Sequence, residues 1–209
     1  MVAIKRTVVG HPHPRRFFTG TLVSDQYVVT TANVVDNQAY NKQQFEVRPG
    51  ATSHVPNNND LMAWQRVAEI RSHPFYKHRK KPSNELSYNV GLLKLMTRVD
   101  FFHFLNGVGV GPICLPTPKQ TNKENLREKQ VFTFKELGGN DIDEVHGEKI
   151  QTQVLSNEKC LEEGWHGSVI ARDQLCADKI ELNTCYTDNN VETGKPLFIE
   201  ENNRYGMIH

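Results

Sequence analysis

Short runs of Val, Ile, Thr and Phe recur along this chain, most of them alternating with polar residues at every second position. That period is the mark of a strand with one face buried. Val2 to Val9, Phe17 to Val23 and Tyr27 to Thr31 read as strands. His11-Pro12-His13-Pro14 is a turn between the first two, which predicts a hairpin, and Ser24-Asp25-Gln26 turns the chain into the third. Arg66 to Ile70 alternates with period two, as do Val131 to Phe134 and Ile150 to Val154. Residues 36 to 63 are rich in Asn and Gln and read mostly as surface loop. Ser156-Asn157-Glu158-Lys159-Cys160 predicts a short helix with Ser156 supplying the cap oxygen. Many short strands and turns predict an all-β sandwich or barrel.

Composition narrows this picture only a little. The 209 residues suffice for one large domain or two small lobes. They carry 25 basic against 24 acidic side chains, a balance that argues against nucleic acid or a membrane surface as main partner. No apolar run reaches the roughly 18 residues of a membrane-crossing helix. Met1 to Arg6 lacks the long apolar core of a signal peptide. Nothing repeats at a fixed period.

Candidate chemistry is sparse. The four cysteines, Cys114, Cys160, Cys176 and Cys185, form no C-x-x-C pair, which disfavours a zinc site. Prolines flanking His13 favour a solvated turn over a metal-binding histidine pair. Neither a metal nor a cofactor is called for. Cys160 and Cys176 can close a loop of fifteen residues, a bridge worth roughly 3 kcal/mol. Disulfides imply an oxidising compartment. The run Lys77-His78-Arg79-Lys80-Lys81 is either a solvated loop or a polyanion contact, and it offers a cleavage site to a trypsin-like enzyme.

Val28-Val29-Thr30-Thr31-Ala32-Asn33-Val34-Val35 is similar to the V-L-T-A-A-H-C-V segment that delivers the catalytic histidine in the trypsin-like serine proteases of the chymotrypsin fold, with Asn33 at the histidine position. Asn89-Val90-Gly91-Leu92-Leu93-Lys94-Leu95 resembles D-I-A-L-L-K-L, with Asn89 at the aspartate. Phe18 to Val23 is similar to C-G-G-T-L-I. Gly111 to Pro116 is similar to the P-I-C-L-P linker between the barrels. Val191-Glu192-Thr193-Gly194-Lys195-Pro196-Leu197 stands where the family has its nucleophile segment, with Thr193 at the serine and four extra residues after Cys185. Tyr205 to His209 matches the strand that follows.

The resemblance implies two antiparallel six-stranded β-barrels in one trypsin-like domain. The N-terminal barrel would cover residues 1–111, and the linker with an incomplete C-terminal barrel residues 112–209. Both ends of the family domain lie outside the sequence, so a piece of a longer secreted protein reconciles disulfide and missing signal peptide. Arg172 to Ala177 resembles D-N-Q-I-C-A, which supports a Cys160–Cys176 bridge. Phe18 and Val34 replace a pair of cysteines that the family joins, and an apolar contact is expected in place of that bridge. Cys114 stands where many relatives bond a light chain or a clip domain. Cys185 lacks its usual partner.

The site residues imply an absent activity. Hydroxyl attack on a peptide bond needs a base titrating near neutrality and a group that orients it. Asn33 and Asn89 supply neither, and the methyl of Thr193 crowds the attack. Loss of such a unit costs about 10⁶-fold in turnover. Val191 stands at an oxyanion-hole position and Glu192 where an aspartate would pair with a freed amino terminus. Asn183 replaces the aspartate that grips Lys or Arg. The two amides at positions 33 and 89 are expected to hydrogen-bond each other. The chain therefore looks like an inactive serine protease homologue, similar to the non-catalytic members of arthropod clip-domain cascades. Such a protein would be a secreted binding or regulatory cofactor in immune or clotting reactions, partnered by proteases or zymogens. The alternatives are an active endopeptidase with a relocated base, a polyanion-binding module, and a decaying gene.

Overall fold

A computed structural model describes residues 1–7, 15–35, 44–50, 63–76, 88–101, 104–105, 108–117, 126–127, 129–138, 145–162, 175–178, 196–201 and 204–208. Its first half is a closed barrel of six antiparallel strands: β1 (Val2–Thr7), β2 (Arg15–Leu22), β3 (Tyr27–Thr30), β4 (Phe45–Pro49), β5 (Gln65–Ser72) and β6 (Gly91–Leu95). The order around the barrel is β1-β2-β3-β6-β5-β4, and β4 pairs back onto β1 to close it. The predicted hairpin is present, with Val2 opposite Gly20. Alternation fills the barrel: Val2, Ile4, Leu22, Val28, Phe45, Val47, Leu93 and Leu95 form one buried cluster.

The Asn-rich stretch from 36 to 63, read mostly as surface loop, contains one short strand, β4, in which Phe45 and Val47 are fully buried. Their apolar-polar-apolar pattern spans three residues and is swamped by polar neighbours. β5 does not keep the strict period two expected of it. A register shift between Val67 and Glu69 flips the parity, so Val67 and Ile70 both reach the core.

After β6 come a small hairpin of β7 (Phe104–Leu105) and β8 (Val108–Gly109), then a five-stranded sheet. That sheet has the order β11-β10-β9-β12-β13. Its strands are β9 (Gln130–Gly138), β10 (Val145–Leu155), β11 (Cys176–Ala177), β12 (Leu197–Glu201) and β13 (Arg204–Ile208). Among the described residues this second sheet is open. It has its own core of Leu126, Val131, Val154 and Ile199. The linker ties the halves together: Ile113 N–H donates to Leu22 O, and Met207 N–H donates to Cys114 O, both at 2.9 Å.

Two short helices are described, α1 (Ala32–Val35) and α2 (Asn157–Glu162). Ser156 caps α2, its Oγ accepting from Lys159 N–H at 3.2 Å. The same hydroxyl bonds to the exposed Glu158 carboxyl and, with backbone and Arg127 contributions behind it, holds that group below its ordinary pKa. Cys160 and Cys176 form the disulfide that pins α2 to β11.

Candidate functional site

The pairing of β3 with β6 builds the site. Thr30 lies opposite Gly91, so the chain leaving β3 meets the chain entering β6. Asn33 sits in α1, three residues past that point, and Asn89 two residues before it. Gly91 makes the close approach possible. A Cβ there would lie 2.5 Å from Val35 Cγ2 and 3.1 Å from Thr31 O.

The two asparagines do meet, by a different bond from the one expected. Asn89 Oδ1 accepts from the backbone N–H of Asn33 at 3.0 Å, and no bond joins the two side chains. The Asn33 Oδ1 accepts instead from the Thr31 hydroxyl at 2.5 Å. The physical reason is the start of α1. A helix leaves its first N–H groups without intrahelical acceptors, and Asn89 supplies one from the turn that leads into β6. That duty needs an acceptor oxygen and no charge, so an amide performs it as well as a carboxylate.

Asn89 is aimed by a strained neighbour. Tyr88 has φ +58°, a conformation that costs a bulky residue roughly 1–3 kcal/mol. Val90 N–H then donates back to Tyr88 O at 2.7 Å, closing a three-residue turn around Asn89. Val90 O in turn accepts from His73 N–H at 2.9 Å. The His73 ring stacks on Tyr88 with centroids 4.9 Å apart and planes 12° from parallel. Nothing in the spacing of residues around Asn89 signals this turn, so Thr31, His73 and Tyr88 were not legible as parts of the site.

The lost cysteine pair has a second replacement besides apolar packing. Val34 is in the barrel core and Phe18 packs against it. Arg6 joins the two positions: its guanidinium donates to Val34 O at 3.0 Å and lies 4.8 Å from the Phe18 ring centroid. Arg6 is itself buried.

The other predicted site residues, Asn183, Val191, Glu192 and Thr193, lie outside the described residues, as do Cys185 and the basic residues Lys77, Arg79, Lys80 and Lys81. The described end of the nucleophile-like segment is anchored, since Thr133 Oγ1 donates to Pro196 O at 2.9 Å. Cys114 is exposed and unbridged in the linker. A cavity of about 280 Å³ opens between the halves, lined by Leu22, Ile113, Pro196 and Phe198 among others, and neither asparagine reaches it.

A closed antiparallel barrel, a second antiparallel sheet and a linker bonded to both define the two-lobed architecture of chymotrypsin-like proteins. The family model for trypsin matches residues 3–207, and the chain belongs to that family. No helix among the described residues is long and apolar enough to cross a membrane.

Proposed function

We propose that this trypsin-family chain is a pseudoprotease: it keeps the scaffold and binds other proteins without hydrolysing them. The observation that carries this reading is the bond from Asn33 N–H to Asn89 Oδ1. It maintains the local architecture of the site through one uncharged side chain, Asn89, and both positions carry amides that do not titrate near neutral pH. Neither residue can take a proton from a hydroxyl or stabilise an imidazolium. Their amide groups can still donate hydrogen bonds to a peptide carbonyl. The pair of asparagines is thereby suited to hydrogen-bonding a chain segment and unsuited to cutting it. The disulfide is compatible with secretion, and the resemblance to non-catalytic serine protease homologues is what favours a binding role in an extracellular protease cascade, immune or clotting. Proteases or their zymogens are the partners this reading favours.

Family membership favours a second reading, an endopeptidase with a relocated base. A broad peptide library incubated with the folded protein separates the two. The pseudoprotease leaves the library intact. Turnover that co-purifies with the protein and survives protease-free preparation overturns it.

A further inference from the structure

We propose that His73 is a proton-sensitive latch beside the candidate site: neutral, it fastens Phe75 and steadies the turn at Tyr88, and protonated, it lets that turn relax. The latch is one hydrogen bond. Phe75 N–H donates to His73 Nδ1 at 3.2 Å. An amide N–H can only donate, so this Nδ1 is the bare nitrogen of the neutral ring and the proton sits on Nε2. A second proton on the ring turns Nδ1 into a donor that faces a donor. Turning the ring over does not restore the bond, because it offers Phe75 a C–H instead.

The bond fastens a cluster of three rings. The Phe75 ring tilts against both of the stacked pair, 5.8 Å from His73 and 5.5 Å from Tyr88 between centroids. Phe75 is 66% exposed, so its packing is shallow and depends on how its backbone is held. The strained member of the cluster is Tyr88, at φ +58°. Such a conformation persists only while its surroundings impose it, and its cost is of the order that one hydrogen bond contributes. Losing one fastening therefore shifts the balance at Tyr88. The next residue is Asn89, whose Oδ1 accepts from Asn33 N–H at 3.0 Å. Relaxation of the Tyr88 turn withdraws that acceptor from α1.

The groups around the ring leave the titration to His73. The turn brings the Tyr88 phenol, and the residues after His73 bring that of Tyr76. On β5, Arg71 Nε donates to Glu69 Oε1 at 2.7 Å, so those two charges answer each other. On β6, Lys94 lies over the Tyr27 ring, 5.9 Å from its centroid. Helix α1 packs on β5 and β6 and carries no titratable side chain. Among these groups, histidine is the type whose charge ordinarily changes between pH 5 and 8. The latch is closed on the alkaline side of that range and open on the acid side. It does not depend on whether the site hydrolyses peptides.

The test is NMR of the full, isotope-labelled chain between pH 8 and pH 5, with the Cε1–H of His73 reporting the state of its ring. As the ring gains its proton, the Phe75 amide proton is expected to move upfield and the contacts between the Phe75 and Tyr88 rings to weaken. Exchange of the Asn33 amide, corrected for its intrinsic pH dependence, is expected to rise about 2- to 10-fold. His73→Asn places an amide oxygen where Nδ1 stands and does not titrate, so the Phe75 bond persists at both ends of the range. His73→Phe keeps a ring against Tyr88 without the acceptor and shows the open state throughout. A ring that stays neutral to pH 5, or one that titrates without moving Phe75, overturns the proposal. So does a pH response that survives in His73→Asn, or a Phe75 response that leaves Asn33 unchanged. Failure here leaves the pseudoprotease reading standing, because the library assay reads a different property.

Discussion

Asn89 separates two duties that one residue position can hold. As an acceptor for Asn33 N–H it supports the start of α1, and as an amide it brings no charge to the site. Asn89→Ala removes the acceptor and is expected to cost about 0.5–1.5 kcal/mol, read as a lower urea midpoint at unchanged slope. Asn89→Asp keeps the bond and folds like the parent. Arg6 bears a comparable responsibility across the barrel. Arg6→Met removes a buried donor to Val34 O and the guanidinium over Phe18, and about 1.5–3 kcal/mol is expected to go with it. Apolar packing at positions 18 and 34 was legible in the sequence, since both cysteine positions had become apolar. The Arg6 clamp was not, because no local pattern links position 6 to position 34. The left-handed turn at Tyr88 was illegible for a related reason: a bulky residue there contradicts local preference, and tertiary contacts impose it.

Individual elements were readable where one face is buried and the alternation is long. β1, β2 and β3 fall where the pattern places them, within a few residues, and β6 lies inside the segment Asn89–Leu95 that carried the family resemblance. β4 was hidden by its polar surroundings; β5 was readable as a strand, but not its register shift, which exchanges the two faces partway along. The helix α2 shows what a cap does to a charge. Ser156→Ala removes the oxygen that accepts from Lys159 N–H, at a cost of about 1 kcal/mol. It also removes the main cause of the lowered Glu158 pKa. The sign is that of a depressed carboxyl. Its contribution to stability is present above the ordinary value of 4.5 and is lost as pH falls through the lower folded value. In Ser156→Ala the Glu158 titration, followed by NMR, is expected to move up toward 4.5.

At the scale of the molecule, two lobes with separate cores are joined by a linker, and among the described residues one disulfide staples the second lobe. Replacing Cys160 and Cys176 by Ala is expected to remove roughly 3 kcal/mol, measured by denaturant unfolding, with the destabilisation concentrated in the second sheet. The family was legible from ordered motifs spread along the chain, and the model match over residues 3–207 agrees with them. The site was legible by position at Asn33 and Asn89 but not by its bonding. The side chains there were readable as amides, and which atom each amide engages is set by helix α1. The central claim is that this scaffold carries no competent nucleophile. Mass spectrometry of the intact, folded chain after treatment with a fluorophosphonate probe tests it most directly. The account predicts an unchanged mass, with active trypsin labelled alongside. A stoichiometric adduct at Thr193 would contradict it.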